Sequence, residues 1–85
     1  ISSLFDKKYG LYVNFGSSAL YIGMEASNFP EGGEVITPAL TFSTTIGCIV
    51  KSKMIPVFTD VGFNDYCIDV FAIEKNITSK TVAIV

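Results

Sequence analysis

Short apolar runs alternate with stretches of helical period along this chain, and the alternation sets the expected elements. Leu11-Tyr12-Val13 is a brief apolar run that stops at Asn14-Phe15-Gly16, the profile of a short strand. From Ser18 to about Asn28 the residues Ala19, Ile22, Gly23 and Ala26 recur at i, i+3, i+4 and i+7. Leu20 and Met24 widen that face, so the spacing predicts a helix buried over much of its circumference. Asn28 to Gly33 carries turn chemistry, with Pro30 and a Gly32-Gly33 pair. Glu34 to Thr37 then reads as a strand ended by Pro38. In a second helix, Phe42, Ile46, Ile49 and Val50 fall at i, i+4, i+7 and i+8, and Thr41 or Ser43 is the expected N-cap. Ile55 to Thr59 is the next strand, with Pro56 near its first position, where a missing N–H is tolerated. Asp60 to Asp69 is a loop, and Asp69 is placed to cap a third helix with Val70, Ile73 and Ile77 inward. Thr81 to Val85 is a final β-branched strand.

This order is βαβ repetition, so the strands should be largely parallel and buried on both faces. The predicted fold class is α/β with a three-layer, mostly parallel sheet. No internal repeat or low-complexity segment interrupts it.

Composition changes the picture of how much protein this is. Of 85 residues, 49% are hydrophobic and only 16% are charged, and the mean hydropathy is +0.49. A soluble domain carries about 25% charge, and a chain this short buries only about 60–65% of its unfolded surface. A small protein needs proportionally more polar surface, so the shortage points to a chain embedded in a larger protein. The first residue is Ile rather than Met, so residues 1–85 are expected to be part of one domain that is incomplete at both ends.

Charge and cysteine content narrow the classes of partner. The net charge is −2, with six scattered lysines and no arginine. Nucleic-acid partners are not expected, because Arg forks dominate their recognition. No apolar run reaches the 18 or so residues that span a bilayer, so no membrane partner is expected. Cys48 and Cys67 form neither a CxxC pair nor a disulfide framework. They read as free buried thiols of a reducing compartment, and the expected localisation is cytoplasmic. Without His or clustered Cys, no zinc site is expected.

Ligands of open α/β sheets bind beyond the C-terminal ends of strands, where loops lead into helices. Two such loops carry candidate chemistry. In Asn14-Phe15-Gly16-Ser17-Ser18, glycine allows close backbone approach, and a helix start offers unpaired N–H groups with positive dipole character. Two hydroxyls beside them make a phosphate cradle; an ordinary Ser cap and Gly turn would leave the same letters. In Thr41-Phe42-Ser43-Thr44-Thr45, Phe42 is either a face for a planar ring or a core residue of the second helix. Asp60, Asp65 and Asp69 read structurally, as a strand end, a turn residue and a helix cap. With no His to serve Ser17 or Ser18 as base, serine-hydrolase chemistry is excluded.

At Gly16-Ser17-Ser18-Ala19-Leu20 the chain resembles the DegT/StrS family of sugar aminotransferases, in which a strand ends in Asn-x-Gly-(Ser/Thr)-(Ser/Ala)-Ala-Leu. The likeness continues in order. Glu34 to Pro38 resembles the family's GDEVI-x-P strand, and Thr41 to Thr45 its TF-x-x-T helix start. Ile55 to Asp60 resembles x-PVF-x-D, Tyr66 to Asp69 resembles Y-x-ID, and Ile77 to Thr81 resembles IT-x-KT. Three departures accompany it. The stretch before Tyr9 is short, so Leu4 to Lys8 reads as a remnant of a first helix. Phe15 stands where a small residue is usual. The chain also stops before the family's ring-nitrogen aspartate and Schiff-base lysine, and none of its six lysines takes that role.

The resemblance implies part of the large domain of a fold-type I enzyme dependent on pyridoxal 5'-phosphate, or on its amine form, pyridoxamine 5'-phosphate. It implies that Ser17 and Ser18, with Gly16 making room, hold the cofactor phosphate, and that Phe42 stacks on the pyridine ring. The implied partners are a nucleotide-linked keto sugar, an amino-acid donor such as glutamate, and a second copy in a homodimer. The stretch from Thr41 to Val57 also resembles the branch of sugar 3-dehydrases, which use the aminated cofactor without a Schiff-base lysine. A non-catalytic phosphate-binding α/β module is the reading from another class. The 85 residues alone are expected to be inactive.

Overall fold

The computed structural model describes residues 1–85. A single 3-10 turn, Ser2–Phe5, opens the chain, where the sequence suggested a helix remnant over Leu4 to Lys8. Helix α1 spans Gly16–Ser27, two residues earlier at its start than the apolar spacing indicates. It ends at Asn28, whose left-handed backbone (φ 49°) is one that Asn adopts at low cost. Pro30 and the positive φ of Gly32 (78°) then turn the chain into strand β1, Glu34–Pro38. Helix α2 (Ser43–Lys51), strand β2 (Ile55–Thr59), helix α3 (Val70–Asn76) and strand β3 (Thr81–Ile84) follow.

The three strands are parallel in the order β2-β1-β3. Since β2 and β3 lie on opposite sides of β1, right-handed crossovers put α2 and α3 on opposite faces. Val35, 0% exposed, packs with Met24 of α1, Cys48 and Ile49 of α2, and Met54. Ile36 is equally buried and, one position along the strand, faces the other way. Lys51 Nζ lies 4.6 Å from the centre of the Tyr21 ring and braces α2 against α1.

Five expectations change. Only Met24 of α1 is buried, so that helix is not buried over much of its circumference. Val70 and Ile77 are exposed rather than inward, and Ile77 lies just past the end of α3. Leu11-Tyr12-Val13 is not a strand: it pairs with nothing and has no secondary structure. A strand is a property of two segments, and alternation alone cannot supply the second. Burial on both faces holds for β1, whereas the edge strands β2 and β3 are mostly half-exposed. Neither Thr41 nor Ser43 caps α2; Phe42 occupies the cap position and makes no side-chain cap bond. Pro56 fits its setting, since β2 is an edge strand.

The acidic residues take the structural roles expected of them. Asp65 Oδ1 accepts from Cys67 N at 3.0 Å inside the loop, and Asp69 Oδ1 accepts from Phe71 N at 2.9 Å at the start of α3. Asp60 follows the last residue of β2.

Candidate functional site

Helices α1 and α2 pack side by side, and their N-termini open onto one cleft of about 970 Å³. Ser17 Oγ donates to Thr44 Oγ1 at 3.2 Å, tying the first turn of α1 to the first turn of α2. Phe15, Gly16, Ser17, Phe42, Thr44 and Thr45 line this mouth. Most of the remaining lining is apolar and comes from α1, Phe29 and β3.

Both helix starts leave their donors open. In α1 the first backbone bond runs from Ala19 N to Phe15 O at 3.1 Å, and the N–H groups of Gly16, Ser17 and Ser18 have no partner in the chain. In α2 the corresponding bond is from Thr45 N to Phe42 O at 3.0 Å. Neither helix has a side-chain cap, in contrast to α3 with Asp69. Free N–H groups at a helix start, with the positive end of the dipole behind them, suit a phosphate. A Cβ built on Gly16 would meet nothing within 4 Å, so the backbone there is open to close approach.

The residues named from sequence therefore divide. Gly16, Ser17 and Phe42 reach one cleft, and Phe42 is 72% exposed rather than buried in the core of α2. Ser18 turns its hydroxyl away to donate to Asn14 Oδ1 at 3.1 Å, leaving its backbone N–H on the helix start. Thr44 and Thr45 join the site without having been singled out; Thr45 also accepts from the Thr41 hydroxyl at 3.3 Å. Nothing in the sequence pairs Thr44 with Ser17 across 27 positions. The only available signal is that both helix starts are rich in hydroxyls.

No ionisable side chain lines the cleft, and no lysine is among its residues. No group of three or more His, Cys, Asp or Glu is placed to hold a metal ion, and no helix is long and apolar enough to cross a membrane. The arrangement can hold an anion and face a flat ring.

Residues 1–85 match the model of the DegT/DnrJ/EryC1/StrS aminotransferase family. The chain is 38% identical over 78 residues to the pleiotropic regulatory protein of Geobacillus stearothermophilus, covering 92% of this chain and 21% of that protein. It is 35% identical over 81 residues to the 3-oxo-glucose-6-phosphate:glutamate aminotransferase of Bacillus subtilis, covering 95% of this chain and 18% of that enzyme. Its structure resembles GDP-4-keto-6-deoxy-D-mannose-3-dehydratase of E. coli, solved with bound hydrated PLP. There the TM-score is 0.87 at 29% identity, over 98% of this chain and 23% of that one. The chain thus spans about a fifth of the length of the curated relatives it matches.

Proposed function

We propose that this chain, which belongs to the DegT/DnrJ/EryC1/StrS aminotransferase family, is the phosphate-holding and ring-facing part of a pyridoxal-phosphate-dependent sugar aminotransferase. The observation that carries the reading is the pair of uncapped helix starts joined by Ser17 and Thr44 over one cleft. The N–H groups of Gly16, Ser17 and Ser18 would hold the cofactor phosphate, with the Ser17 hydroxyl turning its one proton from Thr44 to the phosphate. Phe42 would cover one face of the ring. The bound cofactor supplies an electron sink for amino transfer. The residues of this chain fix its position and shield it, and the groups that move protons come from outside residues 1–85. The isolated chain is therefore expected to be inert.

The substrate reading is a keto sugar, nucleotide-linked, aminated at the expense of an amino acid such as glutamate in a cytoplasmic homodimer. The relative from Bacillus subtilis bears the name of an enzyme that uses a sugar phosphate and glutamate, which supports the sugar and the donor. A second reading, a 3-dehydrase using the aminated cofactor, is favoured by the structural likeness to the E. coli dehydratase. Incubating the full-length protein with glutamate and a nucleotide-linked 4-keto sugar separates the two: an amino sugar supports the first, loss of the 3-hydroxyl the second. Ser17→Ala should weaken cofactor retention by about 10- to 150-fold, the range of one hydrogen bond to a charged group. Equilibrium dialysis reads this directly. An unmodified protein that binds inorganic phosphate but no pyridoxal phosphate would leave only a phosphate-binding module.

A further inference from the structure

One hydroxyl at the mouth of the cleft is not used as a helical threonine ordinarily is. Thr44 is the second residue of α2 and is half-buried. A helical Ser or Thr commonly bonds back to a carbonyl of its own helix, as Ser27 Oγ does to Gly23 O at 2.8 Å. The Thr44 hydroxyl instead faces α1 and accepts from Ser17 Oγ at 3.2 Å, across 27 positions of sequence. It caps nothing, since the first turn of α2 has no side-chain cap. Nor do the two helices depend on it for their contact. Met24, Cys48 and Ile49 already pack α1 against α2, and Lys51 Nζ sits 4.6 Å from the Tyr21 ring. The TF-x-x-T pattern asks for no hydroxyl there either, because Thr44 falls on one of its open positions.

Each hydroxyl has one proton and two lone-pair sites. In the free chain the Ser17 proton goes to Thr44, while the Thr44 proton has no acceptor in the chain. When the Ser17 proton turns to an anion in the cleft, the Thr44 hydroxyl can rotate and donate to Ser17 Oγ. The contact between the two residues then survives with its direction reversed, and a chain runs from Thr44 O–H to Ser17 O–H to the anion. We infer that Thr44 is a positioning residue for Ser17: from α2 it holds Ser17 Oγ at the mouth of the cleft and polarises its O–H toward the bound phosphate. This rests on the cofactor reading above. Hydrogen bonds in series strengthen one another by about 10–30% each, and a hydroxyl already held in place loses less freedom on binding. Thr44 acts only through Ser17 in this arrangement.

Equilibrium dialysis of the full-length protein against pyridoxal phosphate, and separately against inorganic phosphate, tests this. Thr44→Val keeps the shape and removes the hydroxyl, so it should raise both Kd values by about 3- to 10-fold, short of the loss from Ser17→Ala. Thr44→Ser restores the hydroxyl and should bind within about 2-fold of the unmodified protein. A double variant joining Ser17→Ala and Thr44→Val should bind within about 2-fold of Ser17→Ala alone, because the two residues act as one unit. A Thr44 that only packs would weaken the double variant further and lower the thermal midpoint of the cofactor-free protein. Unchanged binding in Thr44→Val overturns the inference, as do effects that multiply in the double variant or a Thr44→Ser as weak as Thr44→Val. If Thr44→Val does not fold, Thr44→Ala takes its place under the same criteria. An unmodified protein that binds inorganic phosphate but not pyridoxal phosphate sinks the cofactor reading alone, and Thr44 is then judged on inorganic phosphate. One that binds neither overturns both.

Discussion

Cys48 is fully buried between α1 and the sheet and donates to Thr45 O at 3.0 Å, while Cys67 is exposed. The sequence reading of two free buried thiols holds for Cys48, and for Cys67 only in that it is free. Burial pushes the Cys48 thiol up from its ordinary 9.0, because the thiolate loses its hydration there. Peptide-resolved alkylation at pH 8 should therefore modify Cys67 in the native protein and reach Cys48 only on unfolding; equal rates would contradict the packing of α2. The sign for stability follows. The native state holds a proton that the unfolded chain releases first, so this contribution falls as pH rises past about 9. At the cleft, Gly16, Ser17 and Phe42 were legible because glycine, hydroxyls and an aromatic sit at loop-to-helix junctions. The Ser17–Thr44 contact was not, since it exists only once two helices lie side by side.

At the scale of elements, periodicity was a good guide wherever both partners of a contact lie in these 85 residues. Helices α1, α2 and α3 and strands β1, β2 and β3 all fall close to where the apolar spacing puts them. Leu11-Tyr12-Val13 failed for the opposite reason, because its alternation has no neighbouring strand to bond. Cap preference failed at Phe15 and Phe42, whose side chains offer no acceptor to the first turns of α1 and α2. Turn chemistry held at the entry to β1, and Gly33 is the demanding position there. A Cβ on it would lie 2.9 Å from Met54 Cε and 3.1 Å from both Pro30 O and Val82 Cγ1. The methionine end can move, but the carbonyl belongs to the turn that accepts Gly33 N at 3.1 Å. Gly33→Ala should therefore destabilise the full-length protein by about 1–3 kcal/mol, the usual cost of overpacking. Urea titration reads it as a lower midpoint with unchanged slope, and a neutral result would mean the turn yields more easily than its contacts suggest.

For the whole molecule, the low charge content has a direct counterpart in area. A compact monomer of 9.2 kDa would expose about 4,900 Å², whereas this chain exposes 6394 Å². The surplus of about 1,500 Å² is about twice the share that one partner contributes to a standard protein interface. Much of it is apolar: Leu4, Phe5, Tyr9, Leu11 and Tyr12 before α1, and Phe63, Tyr66, Val70 and Phe71 around the start of α3, are all exposed. Only nine of 85 residues are buried, too few to offset the entropy of ordering the chain. The same fold is nevertheless found within a chain of which this one covers 23%, at a TM-score of 0.87. A larger protein built around this fold, as in that chain, would cover such a surface. Expressed alone, residues 1–85 should show no sharp calorimetric transition and should self-associate or bind an apolar dye such as ANS strongly. A monomer with a cooperative melt would show that the core around Val35, Cys48 and Ile49 suffices, and the exposed apolar surface would then need another explanation. The cleft between α1 and α2 should fail with the fold, because Ser17 and Thr44 are held together only by that packing.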